Sequence, residues 1–114
     1  MPGEIRRGEI YWVDWNPGRG SEQSGLRPAL VIQNDIGNRF SPTTIISAFT
    51  TAVGKPYPFM VMVMARESGL PKDGAVDLAQ ILTIDKARLR TKCGELTEAK
   101  MIAVDNAIKA SLGL

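Results

Sequence analysis

The amino-acid sequence predicts a mainly β fold: a small, mostly antiparallel sheet curled into a compact barrel, with one helix at the C-terminal end. Three observations predict it. Short runs dense in β-branched and aromatic residues follow one another at close intervals. Loops rich in Gly, Pro and Asn separate them, without the intervening helices of a βαβ fold. A helical apolar repeat occupies the last part of the chain. At 114 residues, 44% hydrophobic and 23% charged, the chain has the size and composition of one soluble domain, residues 1–114.

The elements read as follows. EIYWVDW (9–15) alternates as a strand, Ile10, Trp12 and Asp14 on one face and Tyr11, Val13 and Trp15 on the other. Residues 16–25 form a loop. PALVIQN (28–34) is a second strand, opened by Pro28, which donates no ladder hydrogen bond. DIGNRFSP (35–42) reads as a loop and TTIISAFTT (43–51) as a third strand. GKPYP (54–58) breaks the chain before a fourth strand, FMVMVMA (59–65). There Phe59, Val61 and Val63 share one face and Met60, Met62 and Met64 the other. Both faces are apolar, so cover is expected on both, from a helix, a second sheet or a partner subunit, as core and dimer interface rather than a ligand site. RESGLPKDG (66–74) is a loop and AVDLAQILTI (75–84) a fifth strand. DKARLR (85–90) is one short helical turn or extended chain. TEAKMIAVDNAIKASL (97–112) is a helix, with Met101, Val104, Ile108 and Leu112 at helical spacing, Thr97 as N-cap and Gly113 as stop.

Composition excludes several functions. The chain has no histidine and one cysteine, Cys93. Ser-His and Cys-His nucleophile pairs are therefore impossible, an internal disulfide cannot form, and a structural zinc site lacks its ligands. No phosphate-binding Gly-Lys-Ser/Thr loop is present, and the carboxylates form no evident two-metal cluster. The expectation is no cofactor and no metal. No stretch is apolar enough to cross a bilayer and no signal-like segment precedes the first strand, so a cytoplasmic setting is expected. The net charge of +2 does not by itself name a nucleic-acid partner. KARLRTK, however, alternates Lys86, Arg88, Arg90 and Lys92, which share one face of a strand and scatter on a helix. That is either a solvated surface or a strip for phosphate or an acidic peptide.

What remains is a concentration of arginine, hydroxyl and amide groups near loops: Arg19, Ser21, Glu22, Gln23, Arg27, Gln33, Asn34 and Asn38. Arginine binds phosphate through a fork of donors, amides read base edges, and Trp15 either stacks a base or packs in the core.

RGEIYWVDWNP, then GSEQSGLRPALVIQNDIGNRFSPT, then the Thr-bearing strand, resemble the MazF/PemK family of toxins from type II toxin–antitoxin pairs. Gly20 to Thr43 is close to the Gram-positive MazF type, and the likeness continues through DGAVDLAQILTIDKARL (73–89). The resemblance implies an SH3-like barrel of the MazF/CcdB type, assembled as a homodimer. It implies a metal-independent endoribonuclease that cuts single-stranded RNA to 2′,3′-cyclic phosphate and 5′-hydroxyl ends. It also implies a cognate MazE-like antitoxin with an acidic C-terminal segment. Arg27 at the RP step and Thr50 at the end of the third strand match the family's catalytic pair, with Glu22 or water as the base. Ser21, Gln23, Arg19, Asn34, Asn38, Gln80 and Lys86 are candidate RNA contacts. Arg19, Leu82 and Leu26 depart from common family residues, and 53–72 follows the family only in pattern, so the cut site does not transfer. Two alternatives share the fold, a CcdB-like gyrase-binding toxin and a non-catalytic RNA-binding regulator. The former uses a C-terminal tryptophan motif that SLGL lacks.

Overall fold

The computed structural model describes residues 3–15 and 25–114. Among the described residues six strands are formed: β1 (Glu9–Asp14), β2 (Leu26–Val31), β3 (Thr43–Thr50), β4 (Met60–Val63), β5 (Gly74–Asp85) and β6 (Leu89–Glu95). They lie in the order β4-β5-β3-β2-β1-β6, each neighbouring pair antiparallel. Three helices accompany them: α1 (Asp35–Phe40), α2 (Ala65–Ser68) and α3 (Glu98–Leu112). The antiparallel sheet and the C-terminal helix are as the sequence predicts. The sheet gains a sixth strand, and the stretches 35–42 and 66–74, expected as loops, each hold a short helix.

Strand alternation separates two cores. Ile10 and Leu30 join Val61, Val63, Val76, Leu78, Leu96, Val104 and Ala107 on one face, under α3. Tyr11, Val13, Ala29 and Val31 join Ile5, Ile46, Ile84 and Leu89 on the other. The two faces of β1 are therefore the two that its alternation predicts. β5 serves both cores, because its ladder with β3 is interrupted. Ser47 pairs with Ile81 and Ala48 with Asp77, so one step on β3 spans four on β5. Leu78, Ala79 and Gln80 are thus extra. An odd insertion reverses the face, which is why Val76 and Ile84 bury on opposite sides.

Thr97 caps α3, accepting a hydrogen bond from Lys100 N, and Gly113 ends it. Val104 and Ala107 are the buried positions, whereas Leu112, expected in the stripe, is exposed. β4 keeps Val61 and Val63 inside and leaves Met62 outward, and Met64, just past its end, is exposed as well. Lys86–Arg88 form a single 3-10 turn capped by Asp85, and the strand begins only at Leu89. The four cations of KARLRTK therefore do not share one strand face.

β4 and β6 end the sheet without pairing to each other, and α2 bridges them, leaving β4 and packing on β6. Contact there is backbone on backbone. A Cβ on Gly69 would collide with the Cys93 carbonyl, and one on Gly94 with the Ser68 carbonyl. Gly69 also holds φ +80°, in the left-handed region.

Beside the second core, Glu9 is buried. Its carboxylate accepts from Arg6 N (2.8 Å) and the Tyr11 hydroxyl (2.9 Å) and pairs with Lys92 Nζ at 2.9 Å. Burial works to raise its pKa, but the Lys92 ammonium and the two other donors prevail, and it lies below 4.5. The stabilisation is complete above the unfolded value and lost as pH falls through the folded one. Glu9→Gln is expected to cost roughly 1–3 kcal/mol near neutrality and to flatten the acid limb of stability against pH. Denaturant melts at several pH values check this. An unchanged acid limb would remove Glu9 as its source.

Candidate nucleic-acid interface

β2 and β3 pair at Ala29–Ala48, Leu30–Ser47 and Val31–Ile46. Extending that register by two residues sets Arg27 opposite Thr50, at the end where the strands part. By alternation both project on the face of Ala29 and Ala48. Pro28 sits where β2 is paired on one side only, with Trp12 of β1. It is the third residue of the strand rather than the first, and no ladder bond to β3 is lost there.

Arg27 and Thr50 line a pocket of about 140 Å³ with Trp15, Pro28, Ala48, Phe49 and Gln80. A second pocket of about 290 Å³ shares Pro28, Phe49 and Thr50 and continues past Trp12 and Thr51 to Leu70, Pro71 and Lys72. The two hollows adjoin at those three shared residues and are together called the groove; an arginine lines one and a lysine the other, with Trp15 and Phe49 in the smaller and Trp12 and Phe49 in the larger. Such a groove accepts an extended polyanion carrying flat apolar groups. Trp15 has neighbours on two sides. It packs at the margin of the second core, lines the groove, and donates from Nε1 to the Arg27 carbonyl at 3.3 Å.

Gln80 reaches the same pocket because the β5 bulge expels it from the ladder. The other expected contacts do not gather here. Asn34 caps α1, accepting from Gly37 N at 2.8 Å. Asn38 is buried, its amide donating to the Gln33 carbonyl (2.9 Å) and to Asp35 (3.2 Å) and accepting from Thr44 (2.7 Å) and Gln33 (3.1 Å). Lys86 donates to the Asn38 carbonyl. These three lie at the far end of β3, where Thr43 pairs with Asp85, about 20 Å of strand from Thr50. The structure assigns them to a turn and its brace. Arg19, Ser21, Glu22 and Gln23 fall outside the described residues.

Arg88 donates Nε to the Asp14 carbonyl at 2.7 Å and a second nitrogen to the Trp15 carbonyl, and Arg90 pairs with Asp14 at 3.5 Å. Both therefore brace the end of β1 beneath the groove. Sequence reading missed Trp12, Phe49 and Lys72 as groove residues. Trp12 and Phe49 had only strand-like contexts, and Lys72 lay in a segment without a motif.

Known proteins of similar sequence and shape agree with one another. The family described as "PemK-like, MazF-like toxin of type II toxin-antitoxin system" matches residues 6–112. An endoribonuclease MazF of Staphylococcus epidermidis is 49% identical over 111 residues, spanning 96% of this chain and 92% of that protein. A mycobacterial endoribonuclease solved in complex with its cognate antitoxin superposes with a TM-score of 0.79 at 28% identity, covering 96% of both chains. MazF of Deinococcus radiodurans shares the fold, with a TM-score of 0.76 at 24% identity over 99% of this chain and 100% of that one.

Proposed function

The chain belongs to the PemK-like, MazF-like toxins of type II toxin–antitoxin systems and is an endoribonuclease of that kind; from this premise we propose that its Arg27–Thr50 groove cleaves single-stranded messenger RNA at a short sequence. The observation that carries the proposal is the register of β2 on β3, which sets the guanidinium donors and the threonine hydroxyl across one cleft. RNA brings its own nucleophile, the 2′-hydroxyl beside the phosphorus, so a protein without histidine suffices. The 2′-oxygen attacks, the bond to the 5′-oxygen breaks, and a 2′,3′-cyclic phosphate and a 5′-hydroxyl result. Arg27 remains protonated and therefore stabilises charge on the phosphoryl oxygens rather than acting as base. Thr50 donates to the same phosphate. Glu22 or a water takes the 2′-proton. Trp15, Trp12 and Phe49 hold flanking bases.

Three further readings support one another. The chain works as a homodimer, with the outward methionines of β4 part of the surface available to it. It is inhibited by an antitoxin whose acidic segment competes for the basic groove, a likeness supported by the mycobacterial complex. It acts in the cytoplasm, where its substrate is; no helix among the described residues is long and apolar enough to cross a membrane.

The test is incubation with a long natural RNA in excess chelator, with the fragment ends weighed. Cuts at one recurring short sequence with cyclic-phosphate ends are the expected result. Intact RNA would overturn the reading, and cutting that chelator stops would overturn the metal-free mechanism.

A further inference from the structure

The Asp77 side chain spans the bulge on β5. Asp77 is the last residue before it that pairs on both sides, with Ala48 of β3 and Met60 of β4. Its carbonyl accepts from Ser47 Oγ at 2.7 Å. Its carboxylate then bends forward over the extra residues. One oxygen accepts from Ala79 N at 3.0 Å, and the other accepts from Gln80 Nε2 at 3.1 Å. Asp77 lies on the face of Ala48, the face that carries Arg27 and Thr50.

The chemistry of that contact fixes more than a position. A glutamine amide can turn over, exchanging its oxygen for its nitrogen at little cost. A carboxylate only accepts, so the group facing Asp77 is the NH₂. Gln80 Oε1 is thereby directed away from Asp77, and no described residue donates to it. Gln80 lines the pocket of Arg27 and Thr50, and this oxygen is its oriented acceptor.

We infer that Asp77 is a positioning residue that locks the Gln80 amide, so that Gln80 Oε1 selects a base with an amino group at the position of adenine N6 or cytosine N4, beside the scissile phosphate. Guanine O6 and uracil O4 are carbonyls at that position and leave the acceptor unpaired. This inference rests on the groove being the RNA site and adds which edge of the base it reads.

Asp77→Asn removes the lock while keeping size, because asparagine both donates and accepts and lets Gln80 turn. The probes are short RNAs carrying the wild-type cleavage sequence, with each amino base in turn exchanged for a keto base. Wild type is expected to lose cleavage at one adjacent position on exchange. Asp77→Asn is expected to reduce the ratio of parent-RNA to exchanged-RNA cleavage about tenfold. Gln80→Leu should erase the same preference, and Asp77→Glu, which still only accepts, should retain it. A preference unchanged in Asp77→Asn overturns the inference, and so does an equal loss on every RNA, the mark of a merely structural role. Wild-type protein that cuts none of the RNAs refutes the RNA reading itself, a separable result.

Discussion

Arg27→Ala is expected to lower RNA cleavage by at least about 10³-fold and to leave the fold unchanged. The magnitude follows from charge. Negative charge grows on the phosphoryl oxygens as the 2′-oxygen closes, and the guanidinium is the one cation lining the smaller pocket among the described residues. The fold survives because Arg27 is exposed, and the roles it holds are backbone ones, its pairing with Val13 and its carbonyl accepting from Trp15. Alanine preserves both. Single-turnover cleavage beside a thermal melt checks the result. A variant that unfolds would make Arg27 structural. A folded variant that still cuts within tenfold of wild type would move the chemistry elsewhere in the groove.

The largest expected loss of stability lies far from the chemistry, where α2 meets β6. Gly69→Ala and Gly94→Ala should each destabilise by roughly 3 kcal/mol or more. The methyl on Gly94 meets the Ser68 carbonyl, and the one on Gly69 meets the Cys93 carbonyl. Main chain is on both sides of each contact, so no flexible side chain can give way. Gly69 adds the cost of a left-handed backbone. The bridge is what joins the two ends of the sheet, so its loss exposes β4 and β6 as free edges. Equilibrium unfolding in urea gives the values. Both variants within 1 kcal/mol of wild type would mean the bridge is dispensable.

How much of this was legible in the sequence differed by element. β1 and α3 were plain, because period 2 and period 3.6 write themselves into the apolar pattern. α1 was not, because Ile36 and Phe40 stay exposed and its buried residue is the polar Asn38, so no apolar stripe marks it. β6 was hidden because LRTKCGE buries only Leu89 outright. The bulge was invisible, since AVDLAQILTI reads as continuous strand and nothing in it records that β3 advances one residue there. The candidate pair Arg27 and Thr50 came from the family motif. That they oppose one another required the β2–β3 register, a property of pairing and not of either segment. That Asn38 and Lys86 join in one turn, away from Arg27 and Thr50, was equally a matter of pairing, because turns and binding sites use the same residue types.

The aromatic lining of the groove has an optical consequence. The chain has two tryptophans, and both are in this cleft, Trp12 along the larger hollow and Trp15 against the Arg27 carbonyl. Tryptophan emission, excited at wavelengths too long for Tyr11 and Tyr57 to absorb, therefore originates at the place where a nucleobase would stack. Its quenching and spectral shift report occupancy of the cleft. The protein carries its own titration dye, and stopped-flow fluorescence can time RNA arrival, antitoxin displacement and product departure on native material.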